Sequence, residues 1–367
     1  MKKSTALITT GVIGGLLLVA ALLVHFDIVP SPMDLAQRGP TQKDMVIDGA
    51  TRSQVLDSVI ANLNSAYIFP DEAKAMEAAL RARQKHGDYD KITSAEDFAR
   101  TLTDDLQRVS HDRHIDVGYS DEVIPDALPG ADPDAMSPDQ VQDMVRHNYG
   151  FETVHRMNFN IGYLDLQKFA PVDQVGNRLA AAMTLLQDTD ELIIDLRANK
   201  GGDPKTVALL ASYLFDSRTR LNDIYDRPSD RTEQGWTIDQ LAGPKYGGKR
   251  RIYLLTSHDT FSAGEDFAYA MKNLKRATLI GESTGGGAHP GSAVRLNDHF
   301  GAIVPSGRSI SPITHTDWEG VGVIPDVASD ADDALARAEA MILKDRLRTE
   351  TDPGKRARLQ HRISEID

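Results

Sequence analysis

The sequence contains no cysteine. That excludes a disulfide framework, a thiolate nucleophile and a cysteine-ligated zinc. It leaves the compartment open, since a disulfide-free chain tolerates either redox state. Aromatic residues make up only 6% of the chain, and basic residues number 41 against 54 acidic ones, a net charge of −13. Such an acidic balance argues against a nucleic-acid partner. No internal repeat or low-complexity tract is found, and no H-E-x-x-H pair for a metal. The run Gly285–Gly287 is not followed by Lys-Ser or Lys-Thr, so it is not a phosphate-binding P-loop.

One long uncharged run is present. Ala6 to Val24 carries no charge and is preceded by Lys2 and Lys3. Its length is about one bilayer thickness as a helix, it lacks the polar face of a buried core helix, and no clean small-x-small cleavage site follows. It reads as an uncleaved anchor first and a cleaved signal peptide second, with the remainder outside the cytoplasm. The segment "PSPMDLAQRGPTQKD" is a proline-containing tether.

From about residue 45 to 110 the apolar spacing is helical in "VLDSVIANLNSAYI", "DEAKAMEAALRARQK" and "SAEDFARTLTDDLQRV", with acidic first turns. "DALPGADPDAMSPDQ" breaks the pattern as a loop. After residue 155 strands and helices alternate: "NIGYLDL", "DQVGNRLAAAMTLLQD", "ELIIDLR", "PKTVALLASYLF", "RIYLLTS", "SAGEDFAYAMKNL" and "ATLIGE". This predicts an α/β domain with a largely parallel sheet. "AVRLNDHFGAIVP" reads as a hairpin, and "DADDALARAEAMILKDRL" as a closing helix. The expected organisation is an anchor or signal at 1–26, a tether at 27–44 and a helical domain at 45–120. A connecting segment follows at 121–155, then the α/β domain at 156–345 and a tail at 346–367.

Sites in open parallel sheets form beyond the carboxyl ends of strands. "DLRANKGGDP" and "TSHDTFSAGE" leave two such ends. Gly201 and Gly202 allow a sharp turn with bare N–H groups, and Ser262 begins a helix, where negative charge is favoured. Ser262 and Glu265 also have capping-box spacing, so the serine reads equally as a helix cap. As a nucleophile beside oxyanion donors it would suit acyl transfer.

Three segments, "DLRANKGGDP", "TSHDTFSAGEDFAYAMKNLKRATLIGESTGGGAHPG" and "THTDWEGVGVIPD", occur in order and resemble the superfamily of C-terminal processing proteases and the tricorn protease core. The branch nearest in pattern is that of the interphotoreceptor retinoid-binding protein, and the resemblance spans roughly residues 45 to 345. It implies a ββα-spiral, crotonase-like or ClpP-like, catalytic domain with an N-terminal helical cap domain. It implies Ser262 as nucleophile, and backbone N–H groups of Gly202 and Ala263 as the oxyanion hole. Gly201, Gly286, Gly287 and His289 fall in the substrate loops.

Gly287 stands where the processing proteases carry their lysine base, so a Ser-Lys dyad is excluded. The tricorn-type enzymes use an upstream histidine, and "VSHDRHIDVGYS" resembles that segment, with His114 at its place and Arg113 where a second serine is expected. Glu319 matches the orienting glutamate. A histidine base has the suitable intrinsic pKa and predicts activity lost as pH falls through roughly 6 to 7. His111, His258 and His289 are the rivals. Several histidines near one cleft also raise a metal site, but their spacing matches no metal motif, so no metal or cofactor is expected. Residues 118 to 157 are too few for a PDZ module.

The function implied is an extracytoplasmic serine endopeptidase acting on polypeptides. The alternative is an inactive relative that binds apolar ligands, which the low aromatic content does not favour. "TFSAG" is not the G-x-S-x-G elbow of serine esterases.

Overall fold

The computed structural model describes residues 42–125 and 138–366. The expected anchor and most of the tether lie outside them, as does the loop at 126–137. No helix among the described residues is long and apolar enough to cross a membrane.

Three helices open the described chain. α1 (Gly49–Ala66) starts at Asp48, whose side chain accepts from the Thr51 N–H. α2 (Pro70–His86) has proline in its first turn and ends on Gly87 in the left-handed region. α3 (Ala95–Ser110) is capped by Ser94, which accepts from the Asp97 N–H, and ends on His111 at φ 57°. These are the start and stop signals expected of short helices. Their apolar faces meet in one core that includes Leu56, Leu63, Met76, Leu80, Phe98 and Leu102. Helices alone do not close it: strand β1 (Asp116–Tyr119) and a hairpin at 291–305, which contributes Phe300, Ala302 and Val304, complete this core. The N-terminal helices and the later hairpin therefore share one interior.

The chain continues with α4 (Pro138–Arg146), β2 (Phe151–Met157), β3 (Ile161–Leu166), α5 (Val172–Leu186), β4 (Glu191–Asp195) and α6 (Pro204–Leu214). Then come β5 (Arg220–Asp226), β6 (Arg231–Trp236), β7 (Arg251–Thr256), α7 (Ala263–Asn273) and β8 (Thr278–Gly281). The hairpin strands are β9 (Gly291–Arg295) and β10 (Phe300–Pro305), followed by β11 (Gly307–Ile310) and β12 (Val327–Ala328). Two helices, α8 (Ala334–Thr349) and α9 (Pro353–Ile366), end it.

A six-stranded sheet in the order β12-β8-β7-β4-β3-β2 forms the centre. β3, β4, β7, β8 and β12 pair in parallel, and β2 is antiparallel to β3. Alternation along each strand divides its side chains between two cores. Leu164, Leu192, Ile194, Leu254 and Leu279 pack under α5, α6 and α7. Ile161, Ile193, Tyr253 and Ile280 pack under α8 and α9. Burial on both faces explains the apolar centre Leu192–Ile194 of "ELIID": all five residues are buried, and the acidic ends Glu191 and Asp195 pair with arginines.

The mixed α/β fold with an N-terminal helical region agrees with the sequence. Two features depart from it. The antiparallel sheet β11-β5-β6 was not legible, because β6 is largely exposed and opens on four polar residues, Arg231 to Gln234. The stretch expected as a tail forms α9, whose Leu359 joins the core beneath α8.

Candidate active site

The carboxyl ends of β4 and β7 lie side by side, since these strands pair in parallel. The loops leaving them are knitted together by Asn199, a fully buried side chain. Its Oδ1 accepts from the Gly201 N–H at 2.9 Å, its Nδ2 donates to the Leu166 carbonyl at 2.7 Å, and its own carbonyl accepts from the Phe261 N–H at 2.9 Å. The glycine turn and the serine loop are thereby held as one unit. Gly201 and Gly202 have φ of 98° and 133°. A Cβ on Gly201 would lie 2.7 Å from the Ser262 Cβ, and one on Gly202 would collide with the Phe169 carbonyl. Only glycine fits this turn.

Ser262 precedes α7 at φ 52°, ψ −119°. An N-cap residue normally sits in the extended region, and a serine at positive φ stores strain of the kind found at functional sites. Ser262 and Glu265 are arranged as a capping box: the Ser262 N–H donates to Glu265 Oε2 at 2.9 Å, while the serine side chain faces the Glu265 N–H without a well-formed cap hydrogen bond. Its hydroxyl instead lines a pocket together with His114, Gly202, Ala263 and Gly287.

Glu265 is fully buried and does more than return a cap. Its carboxylate also accepts from the Thr284 hydroxyl, from the Gly286 N–H at 2.7 Å and from the Gly287 N–H at 2.8 Å. Burial pushes its carboxyl up to about 7, against the pull of these hydrogen bonds. One carboxylate thus pins the 284–287 loop to the serine loop. Removing it as Glu265→Ala would strand four donors. The expected cost is about 4 kcal/mol or more, since each unsatisfied buried donor costs ~1 kcal/mol or more. A melting temperature within a degree of the parent protein would show that the loop does not depend on it.

His114 is brought into the pocket that Ser262 lines and is 1% exposed. Its ring lies against that of Phe261 with centroids 4.6 Å apart. Neither ring nitrogen has a hydrogen-bond partner, although both are buried. Such an orphan calls for an explanation, and a catalytic role is one. Burial lowers its pKa to about 4, so the imidazole is neutral around pH 7. A Cβ on Gly287 would stand 2.6 Å from His114 Cε1. The imidazole therefore fills the space a side chain at position 287 would need.

Arg113 is turned away. Its guanidinium lies over the Phe261 ring and donates to the Gly285 carbonyl at 2.8 Å, fastening the histidine segment to the glycine loop. His111 and His258 are exposed. His289 is buried behind the pocket, where its Nδ1 meets Asp112 Oδ2 at 3.0 Å and Glu319 Oε2 at 3.4 Å. Glu319 thus approaches His289 rather than His114. It also accepts from the Ala288 N–H and keeps its Oε1 buried without a partner. The carboxylate beside His114 is Asp112: its Oδ1 accepts from the His114 N–H at 2.9 Å and lies 3.9 Å from His114 Nδ1. Asp112 further accepts from the Tyr67 hydroxyl at 3.3 Å.

Asp112, His289 and Glu319 bring their ligand atoms within 4.8 Å of one another and could hold a metal ion. To do so they would give up the Asp112–His289 hydrogen bond. A buried carboxylate, Asp112, and a partly buried one, Glu319, flank a single imidazole here. Burial, and then the charge of Asp112, raise the Glu319 pKa well above the carboxylate range. Asn199, Asp112 and the wider role of Glu265 went unnoticed in the sequence. Their side chains act by orienting other groups, and their partners lie far away along the chain.

The arrangement is a strained serine at a helix N-terminus, the Gly202 turn and a neutral buried imidazole in one pocket. The model of "Peptidase family S41" matches residues 160–329, and that of the "N-terminal domain of Peptidase_S41 in eukaryotic IRBP" matches residues 50–153. The chain belongs to peptidase family S41. Carboxyl-terminal-processing peptidase 2, chloroplastic, of Arabidopsis thaliana is 32% identical over 175 residues, covering 45% of this chain and 31% of that protein. The carboxyl-terminal-processing protease of Synechocystis sp. is 29% identical over 172 residues, covering 46% of this chain and 37% of that protein. The chain thus spans about a third of the length of these relatives. Two solved structures share the fold of this S41 chain. A lipoprotein from Streptococcus agalactiae has a TM-score of 0.53 at 13% identity, covering 80% of this chain and 96% of that one. A candidate peptidase from Parabacteroides merdae has a TM-score of 0.50 at 18% identity, covering 77% and 92%.

Proposed function

We propose that this S41 chain is an extracytoplasmic serine endopeptidase that cleaves polypeptides through an acyl-enzyme on Ser262. The observation that carries the reading is the strained Ser262 sharing a pocket with a buried imidazole that has no other partner. The names of the relatives suggest cleavage near substrate carboxyl termini. Parallel strands added in one direction, from β3 to β12, support the ββα-spiral reading of the fold.

In the first step Ser262 Oγ attacks the scissile carbonyl carbon while His114 takes the hydroxyl proton. Nδ1 of His114 lies on the Asp112 side, which leaves Nε2 for the serine. The tetrahedral oxyanion is met by the N–H groups of Gly202 and Ala263, both at the pocket. His114 then returns the proton to the leaving amine, and a water deacylates the serine by the same relay. Asp112 orients the imidazole. Glu319 acts one layer further back, through His289 and Asp112, rather than on His114 itself.

A fluorophosphonate probe should label Ser262, located by peptide mapping. Failure to label would favour the binding-protein alternative. The uncharged run after Lys2 and Lys3 supports an anchor with residues 45–367 outside the cytoplasm. Protease added to intact spheroplasts should then degrade the catalytic domain, whereas full protection until lysis would place it inside.

A further inference from the structure

The pocket holding Ser262 continues along α7 to Asp266, four residues on and so on the same side of the helix. Its remaining walls are mostly apolar and include Ile224, Ala288, Pro290 and Trp318. Asp266 is the one acidic residue that lines it. The carboxylate receives a single side-chain hydrogen bond, from Asn222 Nδ2 to Oδ1 at 2.7 Å, and the same amide steadies the Asp266 carbonyl at 3.1 Å. Among the described residues no cation pairs with it. Burial pushes its carboxyl up to about 6, opposed only by the Asn222 hydrogen bond. A carboxylate held in an apolar recess without a counter-charge is costly unless something cationic joins it.

We infer that this recess receives the side chain of the residue whose carbonyl Ser262 attacks, and that Asp266 selects lysine or arginine there. The inference rests on the peptidase reading of the same site. Reach agrees with it: four residues of helix advance about 6 Å at 1.5 Å per residue, close to the span of an extended lysine side chain. The apolar walls suit the methylene stem and the carboxylate suits the charged head. Asn222 holds the carboxylate toward the recess from β5, an element with no part in the acyl-transfer steps.

The test uses fluorogenic peptides that differ only at this residue: lysine, arginine, norleucine and citrulline. Lysine and arginine should exceed their uncharged counterparts in kcat/KM by at least ~10-fold, and Asp266→Asn should remove that ratio. A ratio near one in the parent enzyme, or one that Asp266→Asn leaves intact, overturns the inference. Benzamidine binding to Ser262→Ala, followed by the fluorescence of pocket-lining Trp318, decides without turnover. Binding that is lost in Ser262→Ala/Asp266→Asn supports the cation-selecting recess. No binding, or equal binding in both, refutes it. Benzamidine bound by a protein that resists the fluorophosphonate would refute the peptidase reading and leave the recess standing.

Discussion

Ser262→Ala is expected to lower peptidase turnover by ~10⁶-fold, the scale on which a catalytic triad nucleophile is lost. A serine acting only as a cap would give a different result: unchanged turnover and about 1 kcal/mol less stability. The geometry separates the two. The Ser262 side chain makes no well-formed cap hydrogen bond, so alanine takes little from the helix terminus. Alanine at φ 52° is as strained as serine, so the backbone term nearly cancels between the two proteins. Stability should therefore change by less than about 1 kcal/mol while activity vanishes. Chemical denaturation alongside a peptide-hydrolysis assay measures both. Full turnover with a lowered midpoint would return Ser262 to the role of a cap.

His114→Ala should be nearly as damaging as Ser262→Ala, because groups that act as one unit do not contribute additively. His289→Ala should keep most turnover, since that ring lies behind the pocket and pairs with Asp112 and Glu319. The pH profile gives a second reading of the same residue. The sequence alone predicts an acid limb near pH 6 to 7, the ordinary histidine range. Burial instead lowers the His114 pKa to about 4, so the base stays neutral further into acid and the kcat/KM limb should move down toward that value. The sign for stability follows. The unfolded imidazole takes its proton near 6.5 and the folded one near 4. Between those values the unfolded state binds more protons, so stability contributed by the neutral ring is present above 6.5 and is lost as pH falls through about 4. The difference is about 3 kcal/mol at most, at 1.36 kcal/mol per pKa unit. An acid limb that remains at 6.5, and that His289→Ala shifts, would transfer the role of base to His289.

Much of this was legible along the chain. The 3.6-residue spacing of Val55, Leu56, Val59 and Leu63, and the apolar Leu192–Ile194 of β4, depend only on neighbours within a few residues. So do the caps at Asp48 and Ser94. The three glycine- and serine-bearing segments that carry the family resemblance are also local, and they single out Ser262, Gly202 and Gly287 without any knowledge of the packing. β5 and β6 were missed because β6 is mostly exposed and β5 buries polar Asn222 and Asp223, so neither shows an apolar alternation.

The arrangement of the candidate site was decided by contacts between distant residues. Whether Ser262 caps or attacks depends on its backbone angle, which the Asn199 and Glu265 hydrogen bonds surround and hold. Which histidine shares the pocket with Ser262 depends on Arg113 gripping Gly285 across 172 residues and on Asp112 gripping His289 across 177. Glu319 has a sequence match to an orienting role, yet packing sets it against His289. Local spacing determines which face of an element is apolar. It carries no information on which loop ends meet, and a buried polar group takes its partner, its protonation and its role only from what the closed fold places beside it.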